Sequence, residues 1–441
     1  QRPPPEKTLQ SLARKWMAML FLGTCLLYCA RMTAPVCAVS MAATFHWSKI
    51  DSGLVLGGFF WGYCFTQILG GHVSDKVGGE RVLITSAASW ALITAGTPLL
   101  AHLGSHTLAL MTLARILMGL LQGVFFPSLA SLCSQRVVEA ERGFLMSTMH
   151  SGTHLGTLLA GGMGSMMLDR YGWESMFYCT GFLAGLWAVT VWYYLSRGKS
   201  AFFFMLIILN TFMTALPLSI SDLKSHLQAS LSLKRWLYLF KKPPVWAMVL
   251  THMCACSTSY TLLSWLPTYF KESFPHATPW VYNVVPWLTA IPSALGGGFV
   301  SDFLITKGKR KRAVVPKVGA MGLSSMFILP LSGAVHFTSA VVFLSAAVGL
   351  TTFTGGGVSV NVQDLTPSCA GALYGFMNMM GALMAGLVLV SFSGYIIEVT
   401  LSWATVFSLI TLINITGLGI FLIFGDAQRV DLQENCTIIV V

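Results

Sequence analysis

Apolar stretches of about 20 residues recur from Trp16 to Phe424, separated by short polar turns, and few folds accept such a pattern. Each stretch is long enough to cross a bilayer as a helix, which satisfies its backbone N–H and C=O groups internally. A chain that is 55% hydrophobic and 10% charged lies outside the usual range of soluble domains. The spacing predicts spans near 16–38, 52–73, 82–103, 107–133, 143–168 and 174–196, then near 244–266, 281–304, 313–333, 338–362, 371–396 and 402–424.

The two sets of six carry a common signature. Gly297-Gly298-Phe299-Val300-Ser301-Asp302 repeats Gly70-Gly71-His72-Val73-Ser74-Asp75, again at the end of an apolar run and again followed by bases, Lys307 to Arg312. Two copies of one bundle explain this most simply, a plan that transporters use. The expected fold is an all-α polytopic membrane protein of twelve transmembrane helices in two pseudo-repeated six-helix bundles. Its divisions are a disordered N-terminus at 1–14, a bundle at 15–197, a linker at 198–243, a second bundle at 244–425 and a tail at 426–441.

Charge placement orients the chain. Of the 27 Lys and Arg, Lys49, Arg170 and Lys271 fall in one set of loops and Arg31 and Arg115 deep inside spans; the others lie in the opposite loops, at the span ends beside them and in the termini. That asymmetry predicts cytosolic termini and argues against reading the net charge of +11 as a nucleic-acid surface. The linker contains a charge-free apolar run, Ala201 to Ile220. Were it to cross, Asp75 and Asp302 would face opposite compartments, so an interfacial insert is expected instead. Cysteines within the spans read as small packing residues. The first apolar run has no small-residue cleavage pattern in a position suited to a signal peptide.

Between the second and third spans, Gly71, Asp75, Lys76, Gly78, Gly79 and Arg81 predict a tight cytosolic turn. Glycines allow the reversal, bases hold the turn on its side, and the carboxylate is free to grip a neighbouring helix end. With Asp302 in the repeat, these residues are expected to form a conformational latch.

A guanidinium inside a span costs about 2.5–3.5 kcal/mol on insertion scales, so it lines a cavity or pairs with an acid. Arg31 and Arg115 stand at depth with no carboxylate to match, which calls for an anion from outside. Arg115, Gly119, Gln122 and Gly123 share one helical face, and Arg31 shares another with Tyr28 and Pro35. Tyr63 and Tyr260 are candidates to stack on a base, although periodicity does not choose among the many aromatic residues. The expected substrate site is therefore Arg31, Arg115, Tyr28, Tyr63, Gln122 and Tyr260. His150 and His154, four residues apart, lack a third metal ligand and read as polar packing. With Ser151 they form the nearest approach to a hydrolytic constellation, but no acid orients them, so a carrier is expected and not an enzyme. The Asn435-Cys436-Thr437 sequon lies on the cytosolic side of this topology and should go unused.

The pattern G-x-x-x-D-K-x-G-G-x-R resembles the loop between the second and third helices of the major facilitator superfamily. The runs Leu26 to Arg31, Phe59 to Tyr63, Arg115 to Gly123 and Tyr171-Gly172-Trp173 resemble its vesicular organic-anion branch among the solute carriers. Leu262 to Pro267, Asn283 to Leu288 and Phe424 to Leu432 are similar to the nucleotide-carrying members of that branch. This resemblance implies uptake of ATP, ADP, GTP and other nucleotides into secretory vesicles or lysosome-related organelles by alternating access. It further implies a luminal-positive potential as driving force, chloride as an activating ion, no other cofactor or metal, and a monomer in the bilayer. Glutamate and sialate carriers of the branch have an acid where this chain has Gln122, and the glutamate carriers have bases where it has Ala255 and Leu56. A proton-coupled carrier of sialate, glutamate or another organic anion is the alternative, and the missing acid disfavours it.

Overall fold

The computed structural model describes residues 6–77, 79–103, 106–136, 139–195, 238–297, 310–333, 336–365 and 370–425. Among them the regular structure is entirely helical. The first half contains α1 (Glu6–Phe45), α2 (Lys49–Val77), α3 (Gly79–Ala101), α4 (Thr107–Gly123), α5 (Phe125–Arg136), α6 (Glu139–Tyr171) and α7 (Trp173–Leu195). The second contains α8 (Pro243–Ser273), α9 (Pro279–Leu288), α10 (Arg310–Ile328), α11 (Phe337–Leu365), α12 (Ala370–Ala382), α13 (Ser391–Thr400) and α14 (Trp403–Phe424). A π-helical segment, Leu383–Val390, joins α12 to α13 within one continuous rod.

Six described helical stretches are each long and apolar enough to cross a membrane by themselves. Their outward residues are large and apolar, as lipid requires: Leu92 is 74% exposed and Phe182 69%, with Leu186, Val189 and Ile423 also bare. Packing repeats between the halves. In the first, α1 lies on α6, α2 on α4 and α3 on α7; in the second, α8 lies on α12 and the π segment, α9 on α11 and α10 on α14. Small residues make the tightest of these crossings possible. A Cβ at Gly119 of α4 would run into the Phe59 carbonyl of α2, and one at Gly62 of α2 into the Ile116 carbonyl of α4.

At the end of the bundle that carries Lys49, the halves are fastened together. The Lys49 ammonium pairs with Glu272 at the end of α8, and its backbone N–H donates to Glu398 Oε2 at 2.8 Å. Burial lowers the Lys49 pKa, an effect that Glu398 partly offsets. Asn283 Nδ2 of α9 donates to Ser165 Oγ of α6 at 3.1 Å. Gly53 of α2 lies against Ser391 and Gly394 of α13, where an added Cβ would stand 2.9 Å from the Ser391 carbonyl.

Several expectations need correction. Residues 1–14 were expected to be disordered, yet α1 begins at Glu6. No proline follows Pro5 until Pro35, and Glu6 suits a helix start. The turn expected over 71–81 is far shorter, because α2 runs through Gly71, Asp75 and Lys76 to Val77 and α3 starts at Gly79. Nothing between His72 and Val77 breaks a helix, so charge alone mislabelled the segment as loop. The fourth span is interrupted at Val124, and the eleventh contains the π segment; neither break has a signature in apolar periodicity. Gly78, Asp302, the 201–220 run and the sequon lie outside the described residues.

Candidate functional site

The close α2–α4 crossing brings Arg115 to the centre of the first half. With glycines at the contact, α4 approaches α2 closely enough for the Arg115 guanidinium to lie over the Phe59 ring, 5.1 Å from its centroid. Arg31 of α1 covers the same ring, at 4.6 Å. Two cations thus share one aromatic ring, an arrangement that cation–π attraction favours and mutual repulsion opposes. Tyr28 and Tyr63 complete the cage, with the Arg31 guanidinium 4.4 Å and 4.7 Å from their ring centroids.

Hydrogen bonds fix the pair without neutralising it. Arg31 Nη1 donates to the Tyr28 hydroxyl at 3.1 Å, and Arg31 Nε to Gln122 Oε1 at 3.4 Å. Gln122 Nε2 donates in turn to the Leu27 carbonyl at 3.2 Å, so this buried amide bridges α4 to α1. Arg115 Nη2 reaches the Arg31 carbonyl at 3.5 Å, and its Nη1 the Met118 sulfur at 3.4 Å. Among the described residues, Arg31 Nη2 and Arg115 Nε are buried with no hydrogen-bond partner. Among the described residues neither guanidinium has a carboxylate partner; the ion pair found there is Lys49–Glu272, at the end of the bundle.

Tyr260 of α8 brings the second half to this cage. Its ring centroid is 4.8 Å from that of Phe60, which packs edge-on against Phe59 at 5.2 Å. All six residues expected to form the site, Arg31, Arg115, Tyr28, Tyr63, Gln122 and Tyr260, therefore converge. The surroundings are closed, where the unpaired cations had been expected to line a cavity. Arg31 is 1% and Arg115 4% exposed: Phe59 covers both, and Tyr28 and Tyr63 close over Arg31. Sequence inspection missed the central part played by Phe59 and Phe60; their adjacency to Tyr63 in one aromatic block was the available signal.

The latch residues separate differently. Gly79 opens α3 against α5, where a Cβ would strike the Ser128 carbonyl, so close approach explains this glycine. Arg81 is exposed on the same turn. Ser74 Oγ lies 2.7 Å from Ser128 Oγ, a bond between α2 and α5 that the repeated Val-Ser-Asp motif did not announce. Gly71, Asp75 and Lys76 lie on the last turns of α2; Gly78 and Asp302 are outside the described residues. Of the histidine pair, His150 stacks on Phe126 with ring centroids 5.4 Å apart, and Ser151 Oγ donates to the Thr148 carbonyl at 2.7 Å. For His150 this is the packing role expected of it.

Comparison with known proteins agrees with this architecture. The model of the Major Facilitator Superfamily matches residues 20–389. A mouse protein, the voltage-gated purine nucleotide uniporter SLC17A9, is 50% identical over 95% of this chain and 90% of its own length. Its human counterpart is 48% identical over 98% and 99%. Among solved structures, a bacterial homologue of the human lysosomal transporter Spinster, in an inward-facing, occupied conformation, superposes with a TM-score of 0.69 at 14% identity. That likeness covers 96% of this chain and 99% of the bacterial one and speaks for the fold. The chain belongs to the major facilitator superfamily, in the same family as the mammalian SLC17A9 carriers.

Proposed function

We propose that this protein carries purine nucleotides into secretory vesicles or related organelles, driven by a luminal-positive membrane potential. The observation that carries this proposal is the pair of buried guanidinium groups over Phe59, with orphan N–H donors and no carboxylate partner among the described residues. Removing one member of a buried ion pair is costly, so a fold that keeps two cations unmatched is suited to a ligand that supplies the anion. A nucleotide's phosphates answer both charges and the repulsion between them. Phosphate oxygens take the free Arg31 Nη2 and Arg115 Nε donors, and the base extends toward Tyr260. The names of the mouse and human relatives support the same substrate class.

Energetics favour voltage as the driving force. A group with roughly three to four negative charges gains about 7–9 kcal/mol across 100 mV, at about 2.3 kcal/mol per charge. Gln122 stands beside Arg31 where an acid would offer a proton-coupling group, and an amide does not titrate. Both termini are placed in the cytosol, so the fastened Lys49 end faces the lumen, and the Asp75 and Asp302 segments latch the cytosolic side. The rings over the arginines part to admit substrate and close behind it. Chloride is assigned as an activating ion, acting on this cationic interior.

Purified protein in liposomes with an imposed potential tests the proposal. Native protein should take up ATP when the interior is positive, and Arg115→Ala should lower the rate to background. Uptake driven by a pH jump without voltage would refute voltage coupling, and full activity of the Arg115 variant would refute the site.

A further inference from the structure

On α8, His252, Cys256 and Tyr260 follow at i, i+4 and i+8, forming a polar line on one side of the helix. Tyr260 ends that line at the arginine cage, beside Phe60 and within electrostatic reach of Tyr28, Tyr63 and Arg31. His252 lies two turns away, about 12 Å along the axis. There its Nε2 is 3.0 Å from Asn378 Oδ1 of α12 and 3.3 Å from Cys256 Sγ. Gly381, one turn beyond Asn378, lets α12 approach: a Cβ there would stand 2.9 Å from the Cys256 sulfur.

His252, Cys256, Tyr260 and Asn378 are all half-buried, within an otherwise apolar packing of α8 on α12. A carboxamide has two N–H donors and an acceptor oxygen, and in this contact only the oxygen of Asn378 is engaged. It retains donors that find no partner among the described residues. Hydrogen-bonding capacity placed two turns from a cationic site, with aromatic rings between, has the layout of a base reader.

We propose that Asn378, together with His252, recognises the N7 edge of a purine base whose phosphates lie at Arg31 and Arg115. Adenine offers N6–H and N7 there, a donor and an acceptor that one asparagine side chain meets with two bonds. Guanine offers O6 and N7, two acceptors, which an Asn378 N–H and the His252 Nε2–H meet together. Pyrimidines lack N7 and leave one protein group unpaired. Rejecting a ligand by leaving a buried polar group unmet is an effective form of discrimination. Tyr260 and Phe60 supply the surface along which the ribose and base lie.

This assignment rests on the nucleotide-carrier proposal and is tested so that the two can fail separately. Initial rates of voltage-driven uptake of ATP, GTP, CTP and UTP are measured for native protein and for Asn378→Ala in liposomes. Inorganic tripolyphosphate serves as a base-free competitor. The purine-to-pyrimidine rate ratio should fall about tenfold in the variant, while tripolyphosphate inhibits native and variant alike. An unchanged ratio, or a loss of tripolyphosphate inhibition equal to the loss of ATP uptake, would overturn the base-reading role. Native protein that moves no nucleotide, or is insensitive to tripolyphosphate, would overturn the carrier proposal itself. If Asn378→Ala does not fold, His252→Phe decides by the same ratio, with GTP expected to lose more than ATP.

Discussion

The two halves solve the same packing problem and differ in what they bury. In the first half the interior contains two cations, Arg31 and Arg115, held over Phe59 with N–H groups left open. In the second, the amide of Asn414 and the hydroxyls around it are neutral and close on one another. Thr258 Oγ1 donates to Asn414 Oδ1 at 2.6 Å, Asn414 Nδ2 to Ser324 Oγ at 3.4 Å, and Thr251 Oγ1 to the Gly417 carbonyl at 3.1 Å. A satisfied neutral network rigidifies a bundle, whereas unmatched cations destabilise it until an anion arrives. The pseudo-repeat therefore distributes labour: one half attracts charge, and the other provides a stable, uncharged wall bearing Tyr260, His252 and Asn378.

The largest effect should come from erasing that asymmetry. Arg31→Ala removes charge-assisted hydrogen bonds of about 1.5–3 kcal/mol each, so ATP uptake under voltage should drop by about 100-fold. Gln122→Glu places an acid beside Arg31 and makes the first half self-neutral; the apparent ATP affinity in a competition assay should fall by about tenfold or more. An unaltered affinity would mean that the guanidinium pair does not meet the phosphates. Packing comes next. Gly119→Val drives a side chain into the Phe59 carbonyl and should cost about 1–3 kcal/mol in thermal melts in detergent, while Gly375→Ala, with no atom near its added Cβ, should leave the melt unchanged.

Asn414→Ala tests the other half. It removes two inter-helix hydrogen bonds, leaving Thr258 and Ser324 only the Cys254 and Met321 carbonyls of their own helices, and should lower stability by about 1–3 kcal/mol, with uptake per folded molecule preserved. Loss of transport without loss of stability would end the division of labour argued above. The smallest effect is at the fastened end. Lys49→Met removes a partly exposed ion pair worth about 0.2–1 kcal/mol, so a thiol reagent should label a Ser40→Cys probe, which lines a small pocket with Ser165, Lys271 and Asn283, up to about fivefold faster.

The cage was legible in sequence to an unusual extent, because a charge inside an apolar span is costly enough to need a reason. Arg31 and Arg115 stood out on that ground, and helical spacing brought in Tyr28 and Gln122. Tyr63 and Tyr260 followed from aromatic content near the same depth, without any means of choosing them over Phe59 or Phe60. The His252–Asn378 contact was not legible. Its partners are 126 residues apart on helices whose relative rotation no one-dimensional pattern records. The latch illustrates the opposite error: local charge suggested a long loop where α2 continues, since polarity and helix breaking are separate properties.

Length and apolarity of the spans by themselves determined that this chain is a helical membrane protein, since no other structure satisfies so much backbone in lipid without closing a barrel. The repeated Gly-Gly-x-Val-Ser-Asp signature pointed to two related bundles. Only the tertiary structure decided that both arginines meet over a single phenylalanine, that Gln122 ties α4 to α1, and that the halves are fastened at the Lys49 end. Those facts depend on how closely helices cross and which faces they turn to each other. Both are set by contacts between residues distant in the chain, such as Gly119 against Phe59.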